Sequence, residues 1–167
     1  IFDKTGTLTE SRPKVTEVIT AHAQIGEAEV LRMAASLEQF SEHPLALAIV
    51  SAAREMGLQL DRAEGFENVA GKGVRGTIAG SAAIVGSPRL LREAGVSLAG
   101  LDTKIDEREA AARTVVVIAI DQEPIGFIAI ADTPKEDAKA AIAHLRKVGF
   151  KTAMITGDNR RTANAVA

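Results

Sequence analysis

The octapeptide Asp3-Lys4-Thr5-Gly6-Thr7-Leu8-Thr9-Glu10 constrains this chain more than any other stretch. Asp3 follows Ile1-Phe2, two apolar residues that read as the end of a buried strand. The Gly and Thr residues after it suit a tight loop rich in hydroxyls and backbone N–H groups. A carboxylate at a strand end, facing such a loop, is the arrangement expected of an aspartyl nucleophile for a phosphoryl group. Residues 152–155 read as a second short apolar strand running into Thr156-Gly157-Asp158-Asn159, with a helix expected from about Arg160. Both ends of the chain therefore have α/β texture.

The middle reads differently. Residues 15–20 alternate as a strand, and 27–40 and 44–56 have helical periodicity, with Pro44 in a first turn and Gly57 as a stop. Residues 65–70, 74–79 and 82–85 read as short strands, the last two joined by a Gly80-Ser81 turn. Helices are expected over 88–94 and 103–112. A second hairpin, 114–120 and 125–130, turns at Asp121-Gln122-Glu123-Pro124, and an amphipathic helix covers 135–148. The expected fold class is α/β with an insertion. Residues 1–11 and 131–167 form a partial Rossmann-like domain. Residues 12–130 form an inserted α+β domain of antiparallel hairpins with helices to one side.

Composition narrows the function. The chain has 167 residues, enough for one or two domains with a proper core. A net charge of −2 argues against a dedicated nucleic-acid binder. The absence of Cys rules out disulfides, thiolate metal sites and Cys catalysis, and three scattered His make a structural zinc site unexpected. His22 and His144 have no motif around them and read as surface residues. No apolar stretch approaches the roughly 20 residues needed to cross a bilayer, and no signal peptide is visible.

Residues 3–7 resemble, at every position, the Asp-Lys-Thr-Gly-Thr phosphorylation motif of P-type ATPases. Those pumps resemble haloacid-dehalogenase phosphatases, which usually carry a second Asp two positions after the nucleophile as acid/base. Here that position is Thr5. Water attack on an aspartyl phosphate without a positioned base is slow, which suits a pump that must hold its energised state. The resemblance implies Asp3 as nucleophile beside Lys4 and Thr5. It implies Mg²⁺ on Asp3 and the Thr5 backbone carbonyl, and a phosphate cradle at Thr156, Gly157 and Asp158. It also makes the partial α/β domain a haloacid-dehalogenase-type phosphorylation domain.

Three further motifs extend the resemblance to heavy-metal-transporting P-type ATPases. Ser41-Glu42-His43-Pro44, on its residues alone, is a capping turn with Ser41 as N-cap. It resembles the family's Ser-Glu-His-Pro signature, which implies Glu42 and His43 in a nucleotide pocket. A carboxylate there accepts from the adenine amino group, and an imidazole stacks or hydrogen-bonds. Gly71-Lys72-Gly73-Val74-Arg75-Gly76 fits GxGxxG but leads into a strand, so no helix N-terminus faces a pyrophosphate and a dinucleotide fold is not expected. It resembles the family's Gly-x-Gly nucleotide loop, implying Gly71, Gly73 and Val74. Gly86-Ser87 resembles the family's next nucleotide contact, implying Gly86 and Ser87 at the nucleotide, though it departs from the common Gly-Asn; Ala112-Arg113-Thr114 departs from Gly-Lys-Thr. Asp132-Thr133-Pro134-Lys135 resembles the interdomain hinge; its residues also suit a helix start with Asp132 as N-cap. Phe40 and Phe66 either flank an adenine or belong to the core.

The resemblance implies an ATP-binding cytoplasmic fragment of a heavy-metal-exporting P-type ATPase, whose parent uses ATP and Mg²⁺ and couples hydrolysis through an aspartyl phosphate at Asp3 to metal transport. Its parent would lie at the cytoplasmic face of a membrane. Expected partners are ATP and the parent's membrane, actuator and metal-binding domains, with no nucleic acid, the fragment being monomeric. The chain ends before the family's Gly-Asp-Gly-x-Asn-Asp motif, so ATP binding without competent hydrolysis is expected. Two alternatives are a haloacid-dehalogenase phosphatase with a large cap, which Lys4 and Thr5 argue against, and a non-catalytic docking module. The Ser-Glu-His-Pro tetrad leans towards copper. Gly86-Ser87-Pro88 and Thr162-Ala163-Asn164-Ala165 lean towards zinc or cadmium. Copper ranks first.

Overall fold

The computed structural model describes residues 2–3, 9–134, 137–150 and 153–155. Strand β1 (Phe2–Asp3) pairs in parallel with β8 (Met154–Ile155), with Asp3 opposite Ile155. The chain between them builds a larger sheet from β2 (Thr9–Thr20), β3 (Ala63–Val69), β4 (Gly73–Ile78), β5 (Ser81–Gly86), β6 (Thr114–Ile120) and β7 (Glu123–Pro134). Its order is β2-β7-β6-β5-β4-β3, and every neighbouring pair is antiparallel. The helices are α1 (Glu27–Glu38), α2 (Pro44–Glu55), α3 (Pro88–Glu93), α4 (Asp102–Ala110) and α5 (Ala138–Lys147).

Helices cover both faces of the six-stranded sheet, which corrects the one-sided arrangement read from the sequence. Val116, Ile118, Ile128 and Ile130 pack with α1 and α2 residues Leu31, Leu37 and Ile49. Val115, Val117, Ala119 and Phe127 pack with Leu90, Leu91 and Ile105 of α3 and α4. Successive strand residues face opposite sides, so a strand between two helical layers is apolar at every position. The unbroken run Val115–Ala119, buried throughout, is that signature. Each of these large side chains contributes about 1.5–3 kcal/mol through burial.

The first hairpin turn lies one residue earlier than the sequence reading placed it, and the second is two residues instead of four. Ile78 pairs with Ser81, so the first turn is Ala79-Gly80, at φ 50° and 86°. Ile120 pairs with Glu123, so the second is Asp121-Gln122, at φ 47° and 70°. Two left-handed residues in succession match the twist of the flanking strands. Asp121 is anchored there because its Oδ1 accepts from Ala82 N and its N–H donates to Ala82 O, both at 2.8 Å. Strand β2 starts at Thr9, six residues before the expected start. As an edge strand it accommodates Pro13, opposite Asp132, without losing an interior hydrogen bond. Asp132–Pro134 continue β7, and Asp132 Oδ1 accepts from Arg12 N at 3.1 Å. Asp132 is therefore not a helix N-cap; α5 begins at Ala138.

Candidate functional site

Two segments converge on the β3–β4 hairpin. The first is the α1–α2 connection. Its α1 end lies against β4, where a Cβ on Gly76 would come within 2.9 Å of Leu37 Cδ1. Phe40 then rests on Phe66 of β3, with ring centroids 5.8 Å apart. The connection is tied internally by hydrogen bonds from Ser41 N to Glu38 O at 2.9 Å and from His43 N to Ser41 Oγ at 3.3 Å.

His43, not Ser41, is the N-cap of α2. Its backbone is extended, and its Nδ1 accepts from Leu45 N at 3.1 Å, with Pro44 in the first turn. The ring therefore serves two ends. An Nδ1 that accepts must carry no proton, so the neutral imidazole holds its proton on Nε2. The cap leaves Nε2–H as a donor for a ligand on an exposed side chain.

Of the two carboxylates beside the tetrad, Glu42 is exposed and Glu38 only 7% exposed. Burial pushes the Glu38 carboxyl up to about 7, opposed in part by a hydrogen bond with Ser41. Strongly perturbed carboxyls concentrate at functional sites. Glu38 is a buried carboxyl that sequence reasoning passed over. The available signal was its place at the end of an apolar helix face, after Val30, Leu31, Ala34 and Leu37.

The second segment is the glycine turn. Val69 pairs with Gly73, leaving Ala70-Gly71-Lys72 as the turn, closed by Lys72 N to Val69 O at 2.9 Å. Gly71 sits at φ +68° with open space where a Cβ would be. Gly73 pairs with Gly86, and their backbones approach too closely for side chains. A Cβ on Gly73 would overlap the Val85 carbonyl oxygen. One on Gly86 would overlap the Lys72 carbonyl oxygen and stand 2.8 Å from Leu90 Cδ2. These two glycines are required by contact within the chain, a reason distinct from ligand access. Ser87 N donates to Lys72 O at 2.8 Å, joining the two glycine segments. Ser87 Oγ caps α3 by accepting from Leu90 N at 3.2 Å. Val74 is 2% exposed and belongs to the core, and it is paired with Asn68 on one side and Val85 on the other, so it supports the turn from within the sheet.

Gly71, Gly73, Val74, Gly86 and Ser87 are thus brought together, with Glu42 and His43 on the connection that packs against the same hairpin. Asp3 is described as a backbone partner of Ile155, the residue preceding Thr156. Lys4, Thr5, Thr156, Gly157 and Asp158 lie outside the described residues. Among the described residues no three His, Asp or Glu side chains stand together as metal ligands, and no helix is long and apolar enough to cross a membrane.

A profile of the haloacid dehalogenase-like hydrolases matches residues 1–167. A copper-transporting P-type ATPase of Rhizobium leguminosarum bv. viciae is 45% identical over all of this chain and 20% of its own length. A zinc-transporting PIB-type ATPase crystallised in its E2.Pi state aligns over 99% of this chain and 26% of that one, with TM-score 0.77 and 36% identity. The catalytic domain of a CPx-ATPase, described for its conformational changes upon nucleotide binding, aligns over 99% and 55%, with TM-score 0.69 and 30% identity. The N-domain of HMA6, a copper-transporting P-type ATPase, is covered over its full length by 72% of this chain, with TM-score 0.61 and 30% identity. The chain belongs to the haloacid dehalogenase-like hydrolase family. Within that family it belongs with the N-domain-bearing catalytic region of the copper- and zinc-transporting P-type ATPases. It spans about a fifth of the length of the curated relatives it matches.

Proposed function

We propose that residues 12–130 are a nucleotide-binding domain that takes ATP. The observation that carries this reading is the hydrogen bond from Ser87 N to Lys72 O, which fixes the Gly-x-Gly turn and the Gly86-Ser87 segment as one surface. The turn's open Gly71 admits close approach of a ligand. His43 Nε2–H supplies a directed donor, the Glu38 carboxyl a buried partner for the adenine edge, and Glu42 a carboxylate at the rim. Phe40 and Phe66 offer apolar ring surface beside them.

Residues 1–11 and 131–167 are, on this reading, the two pieces of a phosphorylation domain. In the parent, the carboxylate of Asp3 attacks the γ-phosphorus in line, the bond to the β–γ bridging oxygen breaks, and ADP leaves with that oxygen's electron pair. Thr156, Gly157 and Asp158 form the cradle beside it. Such transfers depend mainly on positioning and charge neutralisation. Mg²⁺ neutralises phosphate charge in such chemistry, and Asp3 with the Thr5 carbonyl are its proposed ligands. The described residues supply no cluster that fits it, so no step is routed through it. In the parent, breakdown of the aspartyl phosphate drives export of a heavy metal, copper ranking ahead of zinc, at the cytoplasmic face of a membrane.

His43 variants separate cap from ligand. His43→Ala removes both and is expected to destabilise the fold by about 1 kcal/mol and to weaken ATP by about tenfold or more. His43→Asn restores a capping side chain, so stability returns while ATP affinity does not. Calorimetric titration with parallel urea unfolding checks this. Wild-type affinity in His43→Asn would reduce His43 to a helix cap.

A further inference from the structure

The nucleotide reading leaves Lys72 unused, yet it is the charged residue of the glycine turn and its backbone is held at both ends. Its N–H is bonded to Val69 O and its carbonyl accepts from Ser87 N, so its Cα is fixed against both glycine segments while its side chain can swing. At rest Lys72 Nζ lies 2.5 Å from Glu93 Oε2, on α3. The other oxygen of Glu93 accepts from Arg89 Nε at 2.7 Å. Hydrogen bonds from Lys72 and then Arg89 hold the Glu93 carboxyl below its usual range. Two cations therefore share one carboxylate, and the cluster carries one net positive charge beside the turn. The neighbouring pair on the hairpin is different. Arg75 and Glu67 meet one to one through two bonds of 2.9 Å and cancel.

The Lys72–Glu93 pair is open to exchange. The two side chains are 36% and 41% exposed, and solvated pairs of this kind contribute little. A polyphosphate carries several negative charges against the single one of Glu93, and an ammonium on a flexible stem is a ready phosphate partner. We propose that Lys72 is the phosphate-binding cation of the nucleotide site and that Glu93 is its resting counter-ion, displaced when a nucleoside polyphosphate binds. The proposal rests on the nucleotide reading above and adds to it the group that distinguishes ATP from adenosine.

The test is calorimetric titration of the 167-residue chain and of two variants with ATP and with adenosine. Lys72→Met is expected to weaken ATP about tenfold and leave adenosine within about twofold. Glu93→Gln frees Lys72 and is expected to strengthen ATP about threefold, again without effect on adenosine. Equal losses for ATP and adenosine in Lys72→Met would make Lys72 a positioning residue of the turn and overturn the proposal. Glu93→Gln weakening ATP in step with Lys72→Met would overturn it too, since the pair would then be a tether. Adenosine bound by the wild type with ATP unaffected by either variant leaves the nucleotide reading intact and removes this one. Failure of the wild type to bind either compound removes both.

Discussion

Gly86→Ala is expected to lower the unfolding free energy by about 3 kcal/mol. The added methyl overlaps the Lys72 carbonyl oxygen and stands 2.9 Å from Gly73 Cα, both backbone groups that no rotamer change moves aside. Relief requires parting β4 from β5 at the Gly73–Gly86 pair, next to the Ser87–Lys72 hydrogen bond. Gly71→Ala provides the contrast. Its Cβ meets open space, so only the left-handed backbone penalises it, at about 1 kcal/mol. Urea unfolding of both variants measures the difference. Equal costs would mean that the two glycine segments do not approach as described. The larger effect also disqualifies Gly86→Ala as a probe of ligand binding, because lost binding would follow from the lost register.

Glu38→Gln is expected to stabilise the chain at pH 8, by roughly 2–3 kcal/mol, and to change little near pH 4. Burial raises the folded-state carboxyl from its ordinary 4.5 to about 7. Between those values the folded chain keeps a proton that the unfolded chain has released. Stability therefore falls as pH rises through this window, and the full penalty stands above pH 7. Glutamine never ionises, so the penalty is absent in the variant. Thermal unfolding of both proteins from pH 4 to 8 tests the sign, and parallel curves across that range would show that Glu38 is not the buried acid described here. The same substitution removes the carboxylate proposed for the adenine edge, so ATP affinity should fall while stability rises. A buried acid that costs stability and serves binding is the expected pattern at a functional site.

Much of the fold was legible because its signals are local. Strand β6 (Thr114–Ile120) and helices α1 and α2 match their periodicity within two residues. The parallel pairing of Asp3 with Ile155 matches the shared α/β texture of the two chain ends. The extra length of β2 was not legible, because an edge strand needs neither alternation nor freedom from proline, and Thr9–Lys14 has Pro13 and five polar or charged residues. The second helical layer was encoded in the unbroken Val115–Ala119 run, whose lack of alternation, and not its length, carried the information. Within the site, motif spacing located the glycine turn and the Ser-Glu-His-Pro tetrad. It gave no access to which group caps α2 or which glutamate is buried. Those depend on how Phe40 folds back on Phe66 and how Ser41 bonds to Glu38, contacts set by tertiary packing.

The central claim is that the six-stranded domain binds ATP on the surface shared by the tetrad and the glycine turn. A ¹⁵N-resolved NMR titration of the chain with ATP tests it most directly. The account predicts saturable shifts clustered at Glu38, Glu42, His43, residues 71–74, Gly86 and Ser87, with α4 and the Asp121-Gln122 turn unmoved. Saturable shifts confined to other parts of the chain, or none at millimolar ATP, would contradict it.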